Sequence, residues 1–222
     1  MVPAANGSAF MEAGKIKVMA AVYGPRQRPA SAGSTSSSSP VLLCDFKFAP
    51  FASPSRRGYL KDSSERAASL SLLRALEPAV RYEALPERSA VDVFVTVLEE
   101  DGVQASVASA ITCASVALAD AGIELYDLVI GCSAAFLPSS PDTPTNVLLD
   151  PTVVESTHPS CTGSLIMAAM PSLAEVAHFE LDGSVSGEEV GESIDLALDA
   201  CASLHGAVKA VIAGSGSGDT VS

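Results

Sequence analysis

The spacing of apolar positions divides this chain into segments that favour strands and segments that favour helices. Ser8–Tyr23 (SAFMEAGKIKVMAAVY) holds two short β-prone runs on either side of Ala13-Gly14, which predicts a hairpin turning there. Val41–Phe48 (VLLCDFKF) predicts another strand, ended by Pro50 and Pro54. Asp62-Ser63-Ser64-Glu65 then supplies N-cap oxygens and an early acidic residue, while Leu72, Leu73, Leu76 and Val80 recur at helical steps. This predicts an amphipathic helix that kinks or stops near Pro78, whose nitrogen carries no hydrogen. In Val91–Leu98, Val91, Val93, Val95 and Val97 share one face and Asp92, Phe94, Thr96 and Leu98 the other, the pattern of a strand.

The long uncharged stretch Gly102–Ala119 raises the question of a bilayer span. Gln104, Ser106, Ser109, Thr112 and Ser115 among its alanines predict instead a buried helix of a soluble domain, closed at Asp120-Ala121-Gly122 with Gly122 in the left-handed position. Its small side chains would let it approach a sheet or another helix closely. Asp127–Phe136 and Asn146–Asp150 read as strands around the loop Leu137–Thr145, and Leu165–Met170 and Glu175–Leu181 as two more. A last helix starts near Ser186, with Glu188, Glu189 and Glu192 at its positive end and Ile194, Leu198, Cys201 and Leu204 as its apolar stripe. Pro25–Pro40 (PRQRPASAGSTSSSSP) cannot bury enough apolar surface to offset its ordering entropy and reads as a flexible loop. The expected organisation is one α+β domain over 1–213, built on a mixed sheet, with a loose tail at 214–222.

Composition restricts what such a domain can bind. Thirteen Lys+Arg against 26 Asp+Glu leave a net charge of −13, which excludes a stand-alone nucleic-acid binder held by a basic face. With 48% hydrophobic and 18% charged residues the chain is far from a disordered composition, and protein partners are expected. Five widely spaced cysteines without a Cys-x-x-Cys pair argue against a disulfide framework or zinc site and for reduced thiols inside the cell. Met1–Gly14 has no long apolar stretch behind a basic end, so no secretory signal is read there.

Candidate chemistry is sparse. His158, His178 and His205 lie in separate segments outside metal-ligand spacing, and GSGSGD at Gly214 lacks the strand-to-helix context of a phosphate loop. Neither a metal nor a cofactor is expected. Glu99-Glu100-Asp101 and Glu188-Glu189-Glu192 read as solvated turn and helix-start charges. Arg56, Arg57 and Lys61, with Arg66 beyond, form the densest basic group, placed before a helix where they would either face a phosphate or form surface ion pairs.

The order of segments carries more. GSAFMEAGKIKVMAAVYGPR, LLCDFKFAPFA, RALEPAV, VDVFVTVLEEDG, ALADAGIELYDLVIGCS and LLDPT follow one another as in the RNase PH-like proteins, which this chain resembles from Gly7 to about Leu204. Lys15 and Ile16 stand where the family usually has a small residue and Thr. LLCDFKFAPFA, LEPAV and LYDLVIGCS followed by LLDPT look most like a subunit of the eukaryotic exosome ring.

The resemblance implies the RNase PH-like fold, of the ribosomal protein S5 domain 2-like type, with six such domains closing around an RNA channel. In active members inorganic phosphate attacks the terminal phosphodiester at the RNA 3′ end, with an Arg and a neighbouring Ser/Thr at a helix N-terminus holding the phosphate and a downstream carboxylate pair supporting metal binding or proton transfer. Here the phosphate-motif positions fall on Ala105-Ser106-Val107, and Val107 carries no charge. Losing the guanidinium removes charge-assisted hydrogen bonds worth roughly 1.5 to 3 kcal/mol each. Of the carboxylates Asp150 remains, Ser156 stands where the second belongs, and Glu155 substitutes only if it points the right way. The Arg-rich stretch departs too, with Ser63-Ser64-Glu65-Arg66 in place of the Asp-Arg-Arg-Ser pattern.

The chain also reaches Gly7 without the Arg-containing segment that family members usually carry ahead of it, an expected truncation that would leave a sheet edge or subunit contact incomplete. The implied function is a non-catalytic exosome-ring subunit, with no catalytic residues and a vestigial site of Ser106, Val107, Asp150, Glu155 and Ser156. RNA contacts would fall on Arg56, Arg57 and Arg66, or on loop Arg26 and Arg28. The implied partners are other RNase PH-like ring subunits, S1/KH-type cap subunits and RNA through the assembled ring, in nucleus, nucleolus and cytoplasm, with no membrane. The alternatives are an active phosphate-dependent 3′-to-5′ exoribonuclease, with Ser106, Asp150 and Glu155 at work, and a plain interaction domain.

Overall fold

A computed structural model describes residues 2–27, 39–58, 60, 62–137 and 146–215. The predicted hairpin forms from β1 (Gly7–Ala13) and β2 (Ile16–Gln27), turning at Gly14, whose φ of 59° lies in the left-handed region that glycine adopts without strain. β2 runs on through Pro25–Gln27, which the sequence placed in the flexible loop, because Arg26 and Gln27 pair with Ala90 and Ser89. The remainder of that loop, 28–38 with Arg28, lies outside the described residues.

β3 (Val41–Phe48) runs parallel to β4 (Ser89–Glu99), and these strands form a mixed sheet in the order β1-β2-β4-β3. The four later strands, β5 (Ile130–Leu137), β6 (Asn146–Leu149), β7 (Gly163–Met170) and β8 (Glu175–Gly183), form a second, antiparallel sheet in the order β6-β5-β7-β8. The single mixed sheet expected from the pattern is therefore two sheets. Alternation along a strand states which face is apolar, and two sheets sharing one helix present the same alternation as one sheet.

That helix is α2 (Val103–Asp120), buried along most of its length and ended by Ala121 with Gly122 at φ 73°. The Gly102–Ala119 stretch thus lies between sheets, as the serines in it suggested. One side packs on β1 and β2 and the other on β5 and β7. Ala and Ser dominate because only short side chains allow a backbone to fit between two sheets. Its hydroxyls also have a task. β6 pairs only with the Ala134–Leu137 half of β5, and Ser115 Oγ and Thr112 Oγ1 accept from the amides of Val129 and Gly131 at 2.8 and 2.9 Å, completing the unpaired half.

α1 (Ser63–Leu76) covers the other edge of the first sheet. Its capping box joins Asp62 and Glu65 as the sequence indicated. Ser69 Oγ and Glu65 Oε1 accept the outward amides of Phe46 and Phe48 at 3.0 Å each, which closes the β3 edge. Pro78 falls in a 3₁₀ turn, Glu77–Ala79, and a second turn, Tyr82–Ala84, and a four-residue helix α3 (Val153–Ser156) follow no periodic signal. The main core fills the space between the first sheet and α1 and α2, and includes Phe46, Phe48, Leu72, Ile111 and Leu118.

α4 (Gly187–Ser215) lies on the second sheet through Ala197, Cys201 and the partly buried Ile194, Leu198 and Leu204. It extends past Gly214, where a loose tail was expected, and 216–222 lie outside the described residues, as do 138–145 of the predicted Leu137–Thr145 loop. By length and composition alone, both α2 and the Gly187–Gly214 stretch are apolar enough to span a bilayer.

On the buried side of α4, His205 Nε2 lies 3.3 Å from Asp127 Oδ1, and Asp127 Oδ2 accepts the Ser172 amide at 2.7 Å. Burial pushes the Asp127 carboxyl up, but the amides of Ser172 and Leu128, the Ser172 hydroxyl and the His205 ring outweigh it and hold Asp127 below its ordinary value of 3.8. A folded-state value below the unfolded one gives stability that is present above 3.8 and lost as pH falls through the folded value. Urea unfolding should therefore show wild type more stable than Asp127→Asn at pH 7, with the gap narrowing towards about pH 3. A gap constant across that range would remove this carboxylate from the account.

Candidate functional site

α2 begins at Gly102 (φ 107°, ψ 136°) without a side-chain cap. A β-carbon on Gly102 would lie 3.4 Å from the Pro151 carbonyl oxygen, so the entrance of α2 sits against the loop that follows β6. Asp101 Oδ1 accepts the Val153 amide at 3.3 Å across the same junction. The fold thus brings the two halves of the candidate site, 105–107 and 150–156, to one place.

The side chains there are committed locally. Ser106 is fully buried, and its hydroxyl donates to the Gly102 carbonyl at 2.6 Å, so its one proton is spent on the first turn of its own helix. Val107, 2% exposed, points into the main core. Asp150 follows β6 with φ 48°, and its Oδ1 accepts from the hydroxyl and amide of Ser133 at 3.1 and 3.4 Å. Glu155, whose direction was the open question, turns back on α3. Its Oε2 accepts from the amide and hydroxyl of Thr152 at 2.8 Å each, and these bonds hold its carboxyl below the ordinary value. Ser156 Oγ donates to the Val153 carbonyl at 3.2 Å. Thr152-x-x-Glu155 is a capping-box spacing and was the signal in the sequence for the orientation of Glu155.

The basic candidates separate. Arg57 Nη2 donates to both carboxylate oxygens of Glu100 at 3.0 and 2.8 Å, and its guanidinium lies 4.0 Å above the Phe48 ring. Of the two readings for this basic group, the ion pair is what Arg57 makes. Glu100 is correspondingly no solvated turn charge: its side chain is 10% exposed, and its amide donates to Ala52, tying the Pro50–Gly58 loop to the end of β4. Arg56 and Arg66 are exposed. Arg26 Nε lies 2.6 Å from the buried Asp92 at the far end of β2, and Lys61 is outside the described residues. An open groove of about 530 Å³ beside the loop is lined by Lys17, Phe51, Ala52, Ser53, Glu99 and Glu100, mixed in charge and unsuited to a bare polyanion. Sequence reasoning missed Ser133, Asp101 and Glu100, each of which acts across a long-range contact.

Among the described residues no group of three or more His, Cys, Asp or Glu is placed to share a metal ion. The combination of a closed α2 entrance and a carboxylate loop beside it can position backbone amides and one exposed aspartate. Arg57, the guanidinium that bonds Glu100 two residues before this entrance, is held by that carboxylate.

Comparison with known proteins bears on this geometry. The model of the 3′ exoribonuclease family, domain 1, matches residues 1–124. The chain is similar to the exosome complex component MTR3 of Homo sapiens, 42% identical over an alignment of 214 residues that covers 90% of this chain and 75% of that protein. It is similar to the exosome complex component mtr3 of Schizosaccharomyces pombe at 35% over 182 residues (82% and 68%), and to the exosome complex component RRP41 homolog of Arabidopsis thaliana at 33% over 213 residues (96% and 83%). The crystal structure of rice (Oryza sativa) Rrp46 shares the fold, with a TM-score of 0.77 at 22% identity, covering 94% of this chain and 89% of that one.

Proposed function

Since this chain belongs to the RNase PH-type 3′ exoribonuclease family, we propose that it is a non-catalytic subunit of an RNA exosome ring, of the MTR3 (exosome component 6) type. The observation that carries the reading is Val107. Phosphorolysis needs an inorganic phosphate held in line with the 3′-terminal phosphodiester, and its charge must be met by donors in place before the reaction. Where active members have a guanidinium, this chain has an isopropyl group packed into the core, and the adjacent Ser106 hydroxyl is turned onto Gly102. The carboxylate side is depleted as well: Ser156 replaces an acid, and Glu155 caps α3.

The work of the subunit is then assembly with other RNase PH-like ring subunits and support of S1/KH-type cap subunits, with RNA met through the assembled ring in nucleus, nucleolus and cytoplasm. A net charge of −13 makes this chain a poor wall for an RNA channel by itself, so neighbours supply most of the basic lining. Arg56 and Arg66, exposed beside the entrance to α1, are its own contribution to phosphate contacts. Arg57, engaged by Glu100, acts through the shape of that loop.

The purified chain, incubated with an oligoribonucleotide and inorganic phosphate, should release no nucleoside diphosphates. Mixed with the other ring subunits, it should elute with them as one assembly. Release of nucleoside diphosphates that disappears in Asp150→Ala would replace this reading with that of an active exoribonuclease. Failure to join the ring would leave an interaction domain of another kind.

A further inference from the structure

α4 meets the second sheet through a thin apolar layer of Ile130, Cys132, Met167 and Ala169 from the strands and Ala197 and Cys201 from the helix. Cys132 and Cys201 are 1% and 0% exposed. Ile130 and Cys132, two residues apart on β5, project from the same face. Cys201 Sγ donates to the Ile130 carbonyl at 3.5 Å, which places the helix thiol directly over that part of the strand. Cys132 and Cys201 lie in this one buried layer, and the Cys132 thiol donates to the Ser133 carbonyl at 3.7 Å. The other cysteines are held elsewhere: Cys113 against the β1 and β2 carbonyls, Cys161 against Gly163, and Cys44 on β3.

We propose that Cys132 and Cys201 form a reversible disulfide that joins α4 to β5, with a small-molecule disulfide such as glutathione disulfide as oxidant. The Cys201 thiolate attacks one sulfur of glutathione disulfide, breaking that S–S bond, and the expelled glutathione thiolate takes up the proton Cys201 lost. Cys132, on losing its proton, attacks the Cys201 sulfur of the mixed disulfide and expels the second glutathione, which takes that proton. Two protein thiols are oxidised by two electrons and one glutathione disulfide is reduced to two glutathiones. Cys201 attacks first because it rides on α4, the element that lifts, whereas Cys132 stays on β5.

Access follows from how α4 is held. Ser193, Ala197, Cys201 and His205 are buried at four-residue steps while the opposite side of the helix is exposed, so lifting one stripe uncovers both thiols. Once formed, the bond prevents that lifting.

The full chain is equilibrated in glutathione buffers of increasing oxidation, quenched with acid, alkylated in denaturant and digested for mass spectrometry. Two of the five thiols should be lost together, with a peptide linking Cys132 to Cys201, and protease cleavage within α4 should slow several-fold relative to reduced protein. Cys201→Ser should abolish the linked peptide. To separate chemistry from access, chain unfolded in urea is refolded through the same buffers. Recovery of Cys132 and Cys201 as free thiols or separate glutathione adducts after refolding, or a linkage to Cys44, Cys113 or Cys161 instead, overturns the proposal.

Discussion

Gly131→Ala should destabilise the protein by about 3 kcal/mol, as a single methyl forced against backbone in a packed interior does. A β-carbon at Gly131 would overlap the Ala108 carbonyl oxygen, and it would also come within 2.9 Å of the Ala108 carbonyl carbon and Cα. All three are main-chain atoms, so no rotamer change relieves the clash and α2 itself has to move. Its other side is blocked, since a β-carbon at Gly7 on β1 would overlap the Ala121 nitrogen. The helix is wedged between two sheets, and a shift away from one drives it into the other. At roughly 2–4 °C per kcal/mol for a chain of this size, the thermal midpoint should fall by about 6–12 °C. Gly14→Ala is the contrast: nothing lies within 4 Å of its β-carbon, and only the φ of 59° opposes it, for about 1 kcal/mol. Equal effects of the two substitutions in urea unfolding would mean that α2 has room to yield.

Glu65→Ala should cost about as much for a different reason. The side chain is 3% exposed, with Oε1 accepting the Phe48 amide at 3.0 Å and Oε2 the Asp62 amide at 3.2 Å. Truncation leaves the outward amide of β3 buried without a partner and opens the capping box, at roughly 1–3 kcal/mol for each buried donor left unmet. A total near 3 kcal/mol is expected. Glu65→Gln keeps one carbonyl oxygen and presents an NH₂ in place of the second acceptor, so it should recover about half of the loss. The urea midpoints of the two variants and wild type decide it: a loss below about 1 kcal/mol for Glu65→Ala would mean that water satisfies the β3 edge.

The two substitutions show how differently these features could be read from the chain. Glu65 sits three residues after an N-cap, and Asp62 with Glu65 is a local signal, so the helix start was legible to the residue. Its bond to Phe48 was not, because a hydrogen bond between a helix start and a strand edge leaves no periodic trace. The same division runs through the candidate site. The proposed place of Val107 in the phosphate motif came from the family resemblance. The engagement of Asp150 with Ser133 and of Arg57 with Glu100 required the fold, whereas Ser106 bonds Gly102 within one turn of its own helix. Glu100 illustrates the error that follows: three adjacent acids suggest solvent, yet the middle one is drawn inward by an arginine from a loop 43 residues away.

Period, caps and small-residue content are properties of neighbouring residues, and they established the order of strands and helices and the buried character of α2, while the order of motifs carried the family resemblance. The partition into two sheets, the closure of β5 by Thr112 and Ser115 and the seating of Cys201 over Ile130 arose only when distant segments packed. Local geometry is decided by interactions within a few bonds, whereas the partner of a side chain is decided by which surfaces the whole chain buries together.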